Sequence, residues 1–150
     1  MVYDYSTVTE TPGGKGSKEQ LSMLFTRYHW ASTFSEGKTV LEAGCGAGQG
    51  LGLLAKKARL VIGGDIEPHN LIFAQRHYND REKIELLLFD GHKFPFQDKS
   101  LDVVILYEAI YYLSEPEKFI AESRRVLKDK GILIICSVNS NWTDFNPSPF

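Results

Sequence analysis

The sequence predicts one α/β domain built on a parallel β-sheet with helices on both faces, a doubly wound arrangement of three layers. The chain has 150 residues, the usual size of a single folded domain. From Lys38 onward, short runs rich in valine, isoleucine and leucine alternate with helical stretches of about 10–12 residues. Near-continuous apolar strands that alternate with helices are typical of a parallel sheet buried on both faces.

The amino-terminal part predicts an irregular segment followed by one amphipathic helix. Residues 1–16 combine glycines with small polar residues, which predicts a flexible arm or a lid. Ser17 stands three residues before Gln20 in a capping-box pattern, and apolar residues follow at helical spacing. We therefore expect the first helix to begin at Ser17 and to end near Phe34.

Five strands and three further helices are expected after this helix. The predicted strands are Thr39–Ala43, Leu60–Asp65, Ile84–Phe89, Leu101–Leu106 and Gly131–Val138. The predicted helices are Gln49–Lys57, Pro68–Asn79 and Pro116–Leu127. Ser114 and Glu117 form a second capping-box pattern at the start of the last helix. The predicted domain spans residues 17–138, and residues 139–150 form a predicted tail.

Composition and charge exclude several classes of protein. Seventeen basic and nineteen acidic side chains give a net charge of −2, which provides no basic surface for nucleic acid or an anionic membrane. Cys45 and Cys136 are far apart and the four histidines are scattered, so neither a disulfide framework nor a metal site is predicted. The sequence shows neither a secretory signal nor an apolar run of membrane-spanning length, and a cytoplasmic location is expected.

A glycine-rich segment lies directly between the first predicted strand and the next helix. Glycine recurs there at every second position after the acidic Glu42, as Gly44, Gly46, Gly48 and Gly50. Glycine permits positive φ and lets the backbone approach a ligand. The dinucleotide pattern G-x-G-x-x-G fails because Gln49 is the sixth residue from Gly44, and no Gly-Lys-Ser/Thr of a P-loop follows. A negative charge at Glu42 suits a cationic ligand better than a pyrophosphate.

This acid followed by G-x-G-x-G resembles the first motif of the class I S-adenosylmethionine-dependent methyltransferases, in particular the methyltransferase type 11 group. Three later landmarks follow in the order of that family: Asp65 at the end of the second strand, Asp90-Gly91-His92 after the third, and Phe94-Pro95-Phe96-Gln97-Asp98 before the fourth. The resemblance covers residues 39–138. It implies a Rossmann-like fold and transfer of a methyl group from S-adenosylmethionine, with S-adenosylhomocysteine as product.

The resemblance also implies which residues bind the cofactor. The methionine end is assigned to Glu42, Gly44, Cys45 and Gly46, with the carbonyl around Tyr107 facing the amino group. The ribose is assigned to Asp65, and the adenine to Ile66, Asp90, Gly91 and His92. A further hypothesis is that Arg27, on the first helix, reaches the methionine carboxylate.

The residues alone leave alternatives open at two of these positions. The carboxylate of Asp65 suits a ribose diol, and it also suits the N-cap of the helix that begins near Pro68. The Asp90-Gly91 pair suits the amine edge of an adenine, and it equally suits a type I turn.

Candidates for a general base follow the fourth strand, in the segment 107–113, where Tyr111 and Tyr112 are singled out. Many relatives carry histidine where Tyr112 stands. A tyrosine with a pKa near 10 is a poor base at neutral pH, so packing is the favoured interpretation of both side chains. The sequence does not decide whether the acceptor must lose a proton.

The family sheet usually has seven strands in the order 3-2-1-4-5-7-6, whereas Gly131–Val138 matches only the fifth. We therefore expect a sheet cut short at about strand 5, with that strand at an edge that is covered by the tail, by residues 1–16 or by a second copy of the chain in a homodimer. The expected function is methyl transfer to an unidentified, small-molecule acceptor. The alternatives are a non-catalytic S-adenosylmethionine-binding fragment that needs a partner chain or a missing segment, and an NAD-dependent oxidoreductase, which Gln49 and Glu42 disfavour.

Overall fold

The strands and helices follow the predicted alternation in the computed structural model, which describes residues 18–139. All strand pairs are parallel, in the order β3-β2-β1-β4-β5. The strands are β1 (Thr39–Ala43), β2 (Leu60–Asp65), β3 (Ile84–Leu88), β4 (Leu101–Tyr107) and β5 (Leu127–Cys136). The helices are α1 (Lys18–Thr33), α2 (Leu51–Leu54), α3 (Pro68–Tyr78) and α4 (Pro116–Val126), with a 3-10 turn at Ile110–Tyr112. The predicted doubly wound α/β sheet is confirmed.

Each face of the sheet carries its own apolar core. Val40 of β1 packs with Leu54 of α2 in one core, and its neighbour Leu41 packs with Phe119 of α4 in the other. All four side chains are fully buried. Successive residues of a strand point to opposite faces, so both Val40 and Leu41 must be apolar. The near-continuous apolar runs in the sequence follow from this three-layer packing.

The predicted limits of α2 and the predicted start of β5 are wrong, in both cases because of contacts with other parts of the fold. Helix α2 is four residues long instead of spanning 49–57. The carbonyl of Lys57 accepts a hydrogen bond from the N–H of Gly37, and the N–H of Lys57 bonds three residues back to Leu54, which ends the α-helix. Strand β5 begins earlier than expected because Leu127 already pairs with β4, before a bulge interrupts the register.

The capping box predicted for α4 is also wrong. The N-cap residue is Glu115, and no side chain caps the helix there. Pro116 at the first helical position needs no partner for its nitrogen, which makes a side-chain cap less necessary. The predicted cap at Ser17, the arm at residues 1–16 and all of the tail except Asn139 lie outside the described residues.

Strand β5 lies at the edge of the sheet, as expected. Ile135 on this strand is 38% exposed. A homodimer that covers the edge stays a prediction. Within residues 18–139 no helix combines the length and the hydrophobicity needed to cross a membrane.

Candidate functional site

A cavity of about 800 Å³ lies at the carboxyl ends of the strands. Its walls come from the segments that directly follow β1, β2, β3 and β4, and from α1. Strand order reverses between β1 and β4, the position at which doubly wound sheets bind ligands. The volume falls within the range of small-molecule and cofactor sites.

The glycine loop after β1 forms one wall, and its conformation explains its composition. Gly44, Gly46 and Gly48 have φ angles of 69°, 55° and 81°, in the left-handed region that side chains disfavour. A Cβ on Gly44 would also lie 3.0 Å from Cβ of Ala109, at the end of β4. The loop is fixed to β2, since the N–H of Cys45 donates to the carbonyl of Gly64 over 2.9 Å. The backbone of this wall is therefore preorganised and exposed to a ligand.

Asp65 lies at the end of β2 and holds the glycine loop in place. Its Oδ2 accepts a hydrogen bond from the N–H of Gly46 over 2.7 Å, and its Oδ1 accepts one from the N–H of Glu67 over 2.8 Å. The side chain is part of the cavity wall although the residue is only 7% exposed. Burial raises the pKa of Asp65, although the hydrogen bonds from Glu67 and Gly46 act in the opposite direction. The N-cap of α3 is Glu67, so Asp65 is not the cap.

Glu42 lies behind the loop instead of beside the ligand space. It is 1% exposed, it is not among the residues that line the cavity, and its carboxylate accepts a hydrogen bond from the hydroxyl of Tyr28 on α1. Burial raises the pKa of Glu42 to about 8. The sheet and Tyr28 separate this carboxyl from water and from the cavity, which disfavours its charge, and the assignment of Glu42 to the cofactor stays a prediction. Its second oxygen, Oε2, is buried without a hydrogen-bond partner.

The residues expected around an adenine all line the cavity. Asp90, Gly91 and His92 line it, as does Ile66, which is 53% exposed. Oδ1 of Asp90 accepts a hydrogen bond from the N–H of His92 and lies 2.6 Å from its Nδ1. Desolvation opposes these contacts, but the hydrogen bonds from His92 outweigh it and lower the pKa of Asp90. The N–H of Glu115 donates to Nε2 of His92, which joins this loop to the start of α4.

Tyrosines and one ion pair form another part of the cavity wall. Tyr107, Tyr111 and Tyr112 all line it. Burial raises the pKa of Tyr107 to about 12 and that of Tyr111 well above its usual value. A raised pKa keeps the Tyr111 hydroxyl protonated at neutral pH, and the roles of Tyr111 and Tyr112 stay predictions. Arg27 of α1 and Glu108 form an ion pair here, with Nη1 of Arg27 2.7 Å from Oε1 of Glu108.

The structure brings together nine of the ten residues predicted to bind the cofactor, all except Glu42. Glu108, Asn70 and Phe89 also line the cavity and are not among the residues assigned to the cofactor from the sequence. Phe89 and Glu108 are the first residues after β3 and β4, so the rule that ligands meet the carboxyl ends of strands could have identified them. Within the described part of the chain, no cluster of three or more histidine, cysteine or acidic residues could hold a metal ion.

Comparison with known proteins places this geometry in a family. Residues 41–135 match the family model described as a methyltransferase domain. A probable S-adenosylmethionine-dependent methyltransferase from Mycolicibacterium smegmatis is 33% identical over 103 residues, which cover 69% of this chain and 39% of that protein. A demethylmenaquinone methyltransferase from Tropheryma whipplei is 32% identical over 100 residues, which cover 67% and 41% respectively.

Solved structures give the same result for the fold. A crystal structure of an S-adenosylmethionine-dependent methyltransferase from Aquifex aeolicus superposes with a TM-score of 0.71 at 27% identity, covering 90% of this chain and 80% of that one. The chain spans about 40% of the length of the two curated relatives above. The family match covers well over half of the chain, and the chain belongs to the methyltransferase domain family.

Proposed function

We propose that this chain binds S-adenosylmethionine and transfers its methyl group to a small-molecule acceptor. The observation that supports this most is that one cavity brings together the glycine loop, Asp65 and the Asp90–His92 segment, which are far apart in sequence. The bound cofactor would supply a methyl group on a positively charged sulfur, with a neutral thioether as leaving group.

The residues present fit this cofactor. In the proposed arrangement Gly44, Cys45 and Gly46 face the methionine end, with the carbonyl around Tyr107 toward its amino group. Arg27 reaches the methionine carboxylate. Its Nε is buried without a hydrogen-bond partner in the described structure, so this N–H of the guanidinium is available to donate to that carboxylate. Glu42 supports α1 from behind through Tyr28 and makes no direct contact with the cofactor.

The adenosine half is proposed to lie against Asp65, Ile66 and the Asp90–His92 segment. Each carboxylate oxygen of Asp65 retains acceptor capacity beyond its backbone hydrogen bond, which the ribose hydroxyls can use. Ile66 is exposed enough to pack on an adenine face, and Asp90, Gly91 and His92 border its edge. The protein's own contribution is then to orient the cofactor and to exclude water from it.

The acceptor is proposed to enter at the end lined by Tyr111 and Tyr112. The relative from Tropheryma whipplei is named as a methyltransferase of demethylmenaquinone, a small molecule, which supports an acceptor of that size. Aromatic side chains on this wall offer apolar surface to such an acceptor.

Parallel calorimetric titrations with S-adenosylhomocysteine and NAD test the proposed function. We expect S-adenosylhomocysteine to bind and NAD not to bind. Binding of NAD without binding of the thioether would contradict the proposal. A screen of methyl transfer to candidate metabolites then separates an active enzyme from a binding fragment, because a fragment binds the thioether and methylates none of them.

Replacing Asp65 is expected to weaken the binding of S-adenosylhomocysteine. Asp65→Ala removes charge-assisted hydrogen bonds worth about 1.5–3 kcal/mol, so the dissociation constant should rise roughly 10-fold to 150-fold. Asp65→Asn keeps one acceptor oxygen and should lose less. The exposed Asp80→Ala is the matched control, with unchanged affinity expected. Equal affinities of Asp65→Ala and the native protein would remove Asp65 from the ribose role.

A further inference from the structure

Strand β3 forms the edge of the sheet opposite to the edge formed by β5. The N–H of Phe89, the residue directly after β3, donates to the carbonyl of Asp65 on β2. Because the backbone groups of alternate residues point to opposite sides of a strand, those of Leu86 and Leu88 point away from β2. Such outward N–H and C=O groups can pair with a strand of another chain.

A groove of about 450 Å³ runs along this edge, between β3 and α3. Five of its nine lining residues are leucine or isoleucine: Leu71 and Ile72 of α3, and Ile84, Leu86 and Leu88 of β3. Ile72 is 45% exposed and Leu88 is 55% exposed. Exposed apolar side chains beside an open strand edge indicate an interaction surface.

The sequence of β3 is complementary to itself in one antiparallel register. With Leu86 on a two-fold axis, Ile84 of each copy lies opposite Leu88 of the other, and all five residues of the strand are paired. These three residues line the same groove, so each apolar side chain meets an apolar side chain of the second copy. The outward N–H and C=O groups of Leu86 meet those of the second Leu86 across the axis.

The charges that flank β3 suit the same register. Lys83 directly precedes the strand and Asp90 follows it by two residues, and both are exposed. Antiparallel pairing brings Lys83 of each copy toward Asp90 of the other, so two pairs of opposite charges form per dimer. Complementary charges at matched positions favour this orientation of two copies.

We propose that two copies of this chain associate through β3, so that their two sheets join into one continuous sheet with antiparallel pairing at its centre. The same surface of each copy forms the interface, as in a two-fold symmetric dimer. Pairing satisfies the outward backbone groups of Leu86 and Leu88 and covers the exposed Leu88 side chain. The two β5 edges stay at the outer ends of the joined sheet. The inference does not depend on the proposed function.

Sedimentation velocity of the full chain and two charge variants tests which edge associates. We expect the native protein to sediment with twice the mass of the chain at micromolar concentrations. Leu88→Glu places two carboxylates against the apolar groove and should raise the dissociation constant of the dimer at least about 10-fold. Ile135→Glu, at the 38% exposed position on β5, is the matched control and should leave the dimer unchanged. Circular dichroism checks the folding of each variant.

Cysteine cross-linking tests the register. Two Leu86→Cys residues would have Cα atoms about 5.5 Å apart across the axis, within the range of a disulfide. Two Leu88→Cys residues would be offset by about 13 Å along the strands and could not be joined. Both variants are made with Cys136→Ser, since Cys45 is buried and Cys136 is only half-buried. Under mild oxidation we expect a disulfide-linked dimer from Leu86→Cys and not from Leu88→Cys.

Three outcomes would overturn the proposal. A native protein that sediments as a monomer excludes it, and this is the result expected if another segment of the chain covers the groove. A dimer that Ile135→Glu dissociates and Leu88→Glu does not would place the interface at β5. A dimer in which Leu88→Cys forms the disulfide and Leu86→Cys does not would contradict the self-complementary register.

Discussion

Glu42→Gln should make the protein more stable than the native chain at pH 8, and the two should converge near pH 4.5. Glu42 lies in the central strand β1, fully enclosed, and burial raises its pKa from 4.5 to about 8. Glutamine keeps the shape of the side chain and an acceptor for the hydroxyl of Tyr28, but it carries no charge at any pH.

The sign of this stability difference follows from the different protonation of Glu42 in the folded and unfolded states. Between pH 4.5 and about 8 the folded protein keeps the proton on Glu42, whereas the unfolded chain releases it. The stability associated with this proton is therefore fully present below pH 4.5 and is lost as the pH rises toward 8. Each pH unit in this window changes the free energy of unfolding by up to about 1.4 kcal/mol, so a total of several kcal/mol is expected.

Urea denaturation at pH 5, 6.5 and 8 measures this effect as the difference between Glu42→Gln and the native protein. Taking the difference removes the contributions of other groups with shifted pKa values, such as Asp65 and Asp102. Glu36→Gln, at an exposed position, serves as the control and should show no pH-dependent difference. A constant difference between Glu42→Gln and the native protein at all three pH values would show that Glu42 is charged in the folded state.

The fold was predictable because its main determinants are local. Strands β1 and β2 occupy the residues predicted for them, since each is a short apolar run between polar or glycine-rich segments. The length of α2 was not predictable, because a hydrogen bond from Gly37, twenty residues earlier, helps to end it. The bulge that moves the start of β5 depends in the same way on its pairing with β4.

The same distinction between local and long-range determinants applies to the candidate site. The glycine loop could be recognised because its φ angles demand glycine, and that demand is visible in the sequence. The environment of Glu42 could not be recognised from the sequence, because its hydrogen-bond partner, Tyr28, belongs to a separate helix. The ion pair of Arg27 with Glu108 joins residues 81 positions apart and depends on how α1 crosses the end of β4.

A large loss of stability is also expected from Gly50→Ala, which would place a methyl group 1.9 Å from Cε1 and Cζ of Tyr28. The φ of Gly50 is −96°, which any residue can adopt, so the cost comes from packing alone. The ring of Tyr28 is 7% exposed, and retreating would break its hydrogen bond to Glu42. Overpacking and the lost hydrogen bond together should lower the free energy of unfolding by about 3 kcal/mol or more.

Gly52→Ala provides the matched control two residues later. Its methyl group would lie 3.3 Å from the nearest atoms of Tyr78, a contact that small shifts can relieve. Alanine is also preferred over glycine inside a helix by roughly 0.5–1 kcal/mol. We therefore expect its stability in urea to differ from the native value by less than about 1 kcal/mol, and its affinity for S-adenosylhomocysteine to be unchanged.

A double-mutant cycle with Tyr28→Ala assigns the cost of Gly50→Ala to the contact between these two residues. Once the ring is removed, the new methyl group meets open space, so Gly50→Ala should cost at least about 2 kcal/mol less in that background. The cycle is best measured at pH 5, where the proton on Glu42 limits the penalty of losing its tyrosine partner. An undiminished cost would locate the clash elsewhere. Because Tyr28 lines the cavity next to Arg27, Gly50→Ala should also weaken the binding of S-adenosylhomocysteine, which links the packing beneath α1 to the proposed site.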